Sequence, residues 1–541
     1  MGEQKSDIKA MVEARIQEEA GGAKPEEEAK ARKLPLDFIV QCLNHNRMGD
    51  ATLYAALNRG KFVYVKLWGR WLFWNGHHWL EDIDNLMALA SVDLVCDEYQ
   101  RILVESDEAE AGSDLAKAVR KRLNILRDMP AREKLLECAL ILREAPLYIE
   151  GDELDKQEYL MACPNGVVDL RTGELQPGKP EQYILNVCPT AWKGLEEPSP
   201  NFLQFLRSSF DDDETMVSYM LRLLGYGLLG SRDEHIWAIF HGPRGRNGKD
   251  TLMKIVRRTM GSKLAIKIPT AMLLQQTFQR SSSQPEPDIM ALRGAKFAFA
   301  SEGEASQRIA MSKLKDLTGG SIITARGLQD KLMTSWDQTH LLFFLTNELP
   351  RMKSDDDAFW TRLHAIHWPI RFVDNPQAPD ERPRDPKMYA KLAEEGPGIL
   401  ARLVEGCMDF LENGLNPPEK VLAYTAEQRD QFDDIGAFLQ DCCDREDPPL
   451  EGDDWRTKTA VSDFVSTLNW WCKKTLGNSY GFSPKKVTQT LEKKGIPWAN
   501  FHSGIPDQRF CNSLTESIFP DFFAFFIILP LIARPSIRRG N

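Results

Sequence analysis

The sequence predicts an α/β protein built on a parallel central sheet, and two observations predict it. First, short apolar runs at 236–240, 295–301 and 341–345 have strand character, with helix signals between them. Second, a glycine-rich loop joins the first run to a helix: the stretch His241 to Leu252 reads HGPRGRNGKDTL. Strand, glycine loop, lysine, helix is the layout that cradles phosphates. Glycines let backbone N–H groups turn toward an anion, and the helix N-terminus adds partial positive charge. Lys249 would then reach the β- and γ-phosphates of a nucleotide. The candidate nucleotide-binding set is Gly242, Gly245, Arg246, Asn247, Gly248, Lys249, Asp250 and Thr251.

The loop departs from the usual spacing in two places. Pro243 stands where a glycine is usual, so Gly242 lies one residue further out and the loop carries an extra residue. Asp250 stands where a hydroxyl residue normally ligates Mg²⁺, with Thr251 next; either can take that role. Further on, the strand at 295–301 runs into Glu302-Gly-Glu304, and carboxylates at a strand end suit Mg²⁺ ligation and water activation. Lys313 to Arg326 reads as a basic helix end, a glycine turn and a strand. The run Leu341 to Leu345 ends in Thr346-Asn347-Glu348-Leu349-Pro350, and an Asn at a strand tip can orient an attacking water. The stretch Asp355 to Arg362 (DDDAFWTR) leads into a last strand-like run, HAIHWPIRF.

This order of features resembles the superfamily 3 helicases of the AAA+ class. More closely, it resembles the C-terminal half of phage and plasmid primases and the poxvirus-type primase-helicases. Asn247-Gly248-Lys249 fits the family's phosphate loop, and Glu302 with Glu304 fits its Walker B segment. Thr346-Asn347 fits sensor 1 and Arg362 the arginine finger, while Ser321 stands where the family commonly has Asp. The resemblance covers residues 35 to 500. It implies a P-loop AAA+ core with ATP and Mg²⁺ as cofactors. It also implies a ring, a hexamer, with ATP between subunits. Asp250 or Thr251, with Glu302 or Glu304, would hold Mg²⁺; the other glutamate would polarise water, Asn347 would orient it, and Arg362 would reach the neighbouring subunit's γ-phosphate. Lys315, Arg326 and Lys331 would contact DNA from a moving hairpin in the pore.

The rest of the chain is organised around that core. The 541 residues suggest about two to four domains. A net charge of −11 argues against a surface that coats DNA broadly, but a locally basic pore remains compatible with it. The ten cysteines are scattered without C-x-x-C, as in a reduced, intracellular protein with no zinc site. No signal peptide is expected from the acidic N-terminus. Residues 1–33 read as a charged, disordered tail. Residues 34–195 form an α+β accessory domain with a hairpin at Asn75-Gly76 and a second at Cys163 to Glu174; its tryptophans either stack on bases or, more plainly, pack the small sheet. Residues 196–235 are a helical collar, 236–372 the ATPase core and 373–445 a helical closing segment. Residues 455–504 resemble a winged helix, basic through Lys473, Lys474, Lys485, Lys486, Lys493 and Lys494. The tail 505–541 carries the apolar run Phe522 to Ala533, too short to span a membrane with ease.

The function expected from these features is an ATP-dependent DNA helicase that replicates phage, prophage or plasmid DNA in the cytoplasm of a bacterial host. Priming or polymerisation would sit on another chain. Two other readings stay open: an AAA+ ATPase that loads or remodels replication proteins without unwinding, and a nucleotide-dependent structural ring.

Overall fold

A computed structural model describes residues 33–445, 458–475, 481–496, 498–500, 509–512 and 514–516, apart from 111, 145, 152, 231–232, 276–284, 302–307, 321 and 329–332. The chain divides into two compact units. The first runs to Pro350 and resumes over Thr361–Tyr424; the second takes Arg351–Trp360 and everything from Thr425 onward.

The first unit opens with helices Leu36–Asn44 and Asn46–Asn58 and a four-stranded sheet. Strands Phe62–Val65, Arg70–Trp74 and Trp79–Glu81 form an antiparallel meander, and Tyr148–Ile149 adds in parallel at the other edge. Asn75 makes the expected tight turn: its Oδ1 accepts the N–H groups of His77 and His78, at 3.1 and 3.0 Å. Trp71 and Trp79 are buried, and Trp79 Nε1 donates to the Pro180 carbonyl, so for these two the packing alternative holds. The helices behind the sheet enclose the Asp50 carboxylate, which accepts from Tyr99 Oη at 2.8 Å and from Arg122. A buried charge satisfied this way is stabilising only while its partners stay in place. The second hairpin pairs Leu160–Cys163 with Gly166–Asp169.

The central sheet follows from five apolar strands: β1 (Trp237–His241), β2 (Ala265–Lys267), β3 (Phe297–Ser301), β4 (Leu341–Thr346) and β5 (Leu363–His367). Their order across the sheet is β5-β1-β4-β3-β2, and every pairing is parallel. Nearly every residue of β1, β3 and β4 is buried, as expected for strands covered on both faces. Helix α1 (Glu214–Tyr226) and helix α2 (Lys249–Leu264) flank the sheet, and α3 (Met311–Thr318) follows β3 in the chain. Helix α4 (Gly396–Asn413) crosses α1 at two glycines. A Cβ on Gly225 would come 2.1 Å from the Cys407 nitrogen, and one on Gly406 would come 2.1 Å from the Leu221 carbonyl oxygen. Only glycine permits that backbone approach. The segment 196–235 therefore packs into the same apolar core as the sheet: Phe202, Phe205, Leu223 and Leu224 share it with Phe240, Phe343 and Val404.

One local feature differs from the sequence reading. The segment 373–445, read as helical, begins with Glu381–Pro383 in a short parallel pair with Arg371–Val373. Pro287, inside the expected core, starts the short helix Pro287–Met290.

In the second unit, helices Asp434–Cys442, Val461–Thr475 and Pro484–Lys493 share a core of Phe438, Phe464, Leu468, Val487 and Leu491. Ser483 caps the last helix with Pro484 at its first position, as the sequence indicates. A three-stranded antiparallel sheet joins Lys458–Ala460, Arg509–Asn512 and Trp498–Asn500. Strands at 509–512 and 514–516 lie beyond residue 504, where the sequence reading ended this module. The expectations for residues 1–32 and for the apolar run at 522–533 fall outside the described residues. No helix among the described residues is long and apolar enough to cross a membrane.

Candidate nucleotide site

The strand order reverses at β1, which lies between β5 and β4 although it precedes both. In parallel sheets the crevice outside the carboxyl ends at such a point is where ligands bind. The glycine loop leaves β1 there. Gly242 N–H donates to the Thr346 carbonyl at the end of β4, at 3.2 Å, so loop and strand tip are held level. Gly245 and Arg246 take positive φ, 66° and 55°, and Gly248 caps α2 at 94°. A Cβ on Gly248 would also come within 3.0 Å of the Phe205 ring.

Asn247 braces the loop from inside. Its Nδ2 donates to the Trp368 and Ile370 carbonyls at 3.0 and 2.8 Å, just after β5. The Arg246 carbonyl accepts from Phe372 N–H at 2.9 Å, and Arg244 pairs with Asp380. The loop is thus fixed on both sides before any ligand arrives.

Lys249 is the centre of the site. Its side chain is 4% exposed, and its ammonium donates to three neutral oxygens: Gly242 O at 3.2 Å, Asn247 Oδ1 at 3.2 Å and Asn347 Oδ1 at 3.0 Å. Burial pushes its pKa down to about 8, with Asp250 pulling weakly the other way. A buried cation held by neutral oxygens, on glycine backbone at a helix N-terminus, has the chemistry of a polyphosphate site. Asp250 is exposed and Thr251 half-buried, both on the first turn of α2. A carboxylate and a hydroxyl are hard oxygen donors of the kind Mg²⁺ takes.

Gly242, Gly245, Arg246, Asn247, Gly248, Lys249 and Asn347 therefore come together. Arg362 does not join them. It precedes β5 beside Trp237, at the opposite end of β1 from the loop, about 13 Å away at the usual strand rise. Its Nη1 donates to the Lys315 carbonyl at 3.3 Å, near the C-terminus of α3. The acidic run before it pairs within the second unit instead: Asp357 with Arg429, and Asp355 with Lys486 at 3.8 Å. Glu302, Glu304, Ser321 and Lys331 fall outside the described residues.

A hairpin pairs Ile322–Ala325 with Thr334–Asp337, further along the chain than the stretch Lys315 to Lys331 in which the sequence places it. Lys315 sits before it, in α3, and Arg326 follows its first strand; both are half-buried. Two apolar side chains here are strongly exposed, Ile322 at 67% and Leu328 at 76%. Of the C-terminal lysines, Lys486, Lys493 and Lys494 are tied to Asp355, the Asp355 carbonyl and Asp433, while Lys473, Lys474 and Lys485 are exposed.

The sequence reading missed the ring cluster behind Asn347. His241, at the end of β1, contacts the Asn347 carbonyl through Nε2 and the Tyr424 hydroxyl through Nδ1. His241 lay inside the motif, but nothing marked Tyr424, 183 residues away, as its partner.

Comparison with known proteins gives matches over parts of the chain. Residues 51–211 match the family described as D5 N terminal like. A provisionally named helicase of Acanthamoeba polyphaga mimivirus is 28% identical over 483 residues, 83% of this chain and 48% of that one. One of Invertebrate iridescent virus 3 is 28% identical over 357 residues, 62% of this chain and 37% of that one. A provisionally named primase of African swine fever virus is 23% identical over 253 residues, 43% of this chain and 24% of that one. The chain is thus similar, over part of its length, to these viral helicases and primases. It spans less than half the length of each of these three relatives. Among solved structures, the apo C-terminal region (305–718) of NrS-1 superposes with a TM-score of 0.42 at 12% identity, covering 87% of this chain and 99% of that one. That likeness is too loose to bear on function.

Proposed function

We propose that this chain is the ATP-driven DNA helicase of a replication system, with a P-loop AAA+ core of the superfamily 3 type acting as a ring. The observation that carries the reading is the caged Lys249 at the point where the parallel strand order reverses. In this account Lys249 and the loop N–H groups bind the phosphates. Asp250 or Thr251, with Glu302 or Glu304, would hold Mg²⁺, which when bound offsets the charge that develops on the phosphoryl oxygens. Asn347 gives up its bond to Lys249 and orients the attacking water. Arg362, remote from its own loop, serves the site of a neighbouring copy. Names carried by the viral relatives support helicase or primase work on DNA for this chain too.

The test joins two assays. Lys249→Ala should abolish ATP hydrolysis, and the parent protein should separate the strands of a forked DNA only when ATP is supplied. A Lys249→Ala protein with the parent's turnover would place the site elsewhere. Turnover without strand separation would favour a loader or remodeller.

A further inference from the structure

Two side chains behind Asn347 form, with its carbonyl, a hydrogen-bonded line that the proposed chemistry has not used. His241 Nε2 lies 3.2 Å from the Asn347 main-chain oxygen, and His241 Nδ1 lies 2.5 Å from Tyr424 Oη. A carbonyl oxygen can only accept, so Nε2 carries the hydrogen. Burial pushes the His241 pKa down to about 4, and the ring is neutral at pH 7. In a neutral imidazole the other nitrogen must then accept. The direction is therefore fixed: the Tyr424 hydroxyl donates to His241 Nδ1, and His241 Nε2–H donates to Asn347 O.

The rings are also held in place. Tyr424 stacks on His241 with centroids 6.1 Å apart and interplanar angle 27°, and on His367 at 4.8 Å and 23°. His367 is the register neighbour of His241 on β5, and Thr346 is its register neighbour on β4. The line thus joins the carboxyl ends of three adjacent strands. It ends on the residue whose side-chain oxygen holds Lys249 at 3.0 Å.

We infer that His241 and Tyr424 are positioning residues for Asn347, fixing its peptide so that its side chain can pass from Lys249 to the attacking water. This rests on the reading of the loop as an ATP-hydrolysing site. Phosphate binding depends on Lys249 and the loop N–H groups, and the line meets Lys249 through the Asn347 side chain, which Lys249 leaves on turning to the phosphates. Hydrolysis depends on where the Asn347 amide points once Lys249 has turned to the phosphates. Loss of the line should therefore slow turnover while leaving affinity in place.

The experiment compares His241→Ala, His241→Gln and Tyr424→Phe with the parent, measuring kcat for ATP and Kd for ADP. Expected are a kcat lower by about tenfold or more in His241→Ala and an ADP Kd within about twofold of the parent. The Gln amide can replace Nε2–H as donor to Asn347, so His241→Gln should recover most of the rate. Tyr424→Phe keeps the stacking and removes only the hydroxyl; it should lose rate by a smaller factor. Parent kcat in both His241→Ala and Tyr424→Phe would overturn the proposal. So would a loss in which kcat and ADP affinity fall together and Gln restores neither. A parent protein without ATP turnover, or one equally active as Lys249→Ala, would instead overturn the reading of the site beneath it.

Discussion

At the scale of single residues, Lys249 sets the pH behaviour of the site. Burial disfavours its charged form and brings its pKa from an ordinary 10.5 down to about 8. The folded protein then holds fewer protons than the unfolded chain between those two values. Stability from this group accordingly rises with pH across that window, since it is the charged form that burial penalises. Affinity runs the other way. An anion needs the ammonium, so ADP should bind evenly up to about pH 8 and then more weakly, by as much as about tenfold per pH unit. Titrations from about pH 7 to about pH 9.5 would read this directly. Lys249→Arg, charged throughout, should flatten the curve. A parent whose affinity stays level across the range would show that the cage does not depress the lysine.

At the scale of elements, the hairpin after α3 invites a test by salt. The basic residues that the sequence suggests for DNA are Lys315, Arg326 and Lys331, but the first two are half-buried and exposed apolar side chains lie beside them. If these residues reach phosphates, neutralising all three should lower the slope of log affinity against log salt by about 0.9 for each phosphate no longer neutralised, with ADP binding preserved. An unchanged slope would shift the DNA-binding role toward the exposed Lys473, Lys474 and Lys485. Much of this architecture was legible because it is local. A glycine loop between a strand and a helix announces itself, as do apolar runs as long as β3 and β4. What stayed hidden is short or non-local. Strand β2 is three residues, Ala-Ile-Lys, and only its pairing with β3 makes it a strand. The strands at 509–512 and 514–516 exist through partners far upstream. In the site, Lys249 and Asn347 could be named from spacing, but the Tyr424–His241 bond depends on a helix that no motif marks. The partners of the Asp355–Asp357 run were equally invisible, because Arg429 and Lys486 lie far along the chain.

At the scale of the whole molecule, the role proposed for Arg362 can be tested by asking whether one chain suffices for catalysis. Arg362 is separated from its own loop by the length of β1, so its guanidinium should serve a second copy. Arg362→Ala and Lys249→Ala should each be inactive alone, and rings assembled from a mixture should regain part of the ATPase activity. Verified mixed rings that stay inactive would rule out a finger acting in trans. The path of the chain near that arginine has its own consequence for anyone cutting the gene. Arg351–Trp360 leaves the first unit and joins the second, and the chain returns at Thr361, one residue before Arg362. There Asp357 meets Arg429, Asp355 meets Lys486, and Trp360 lies 6.4 Å from Phe432. A shortened clone ending at Tyr424 would keep the sheet, the glycine loop and nucleotide binding. It would also strip this ten-residue excursion of its anchors and open it to proteases. Limited digestion should cut the shortened protein between 351 and 360 and spare the full chain. The two units are thus interwoven in sequence, and the gene offers no single seam at which to part them.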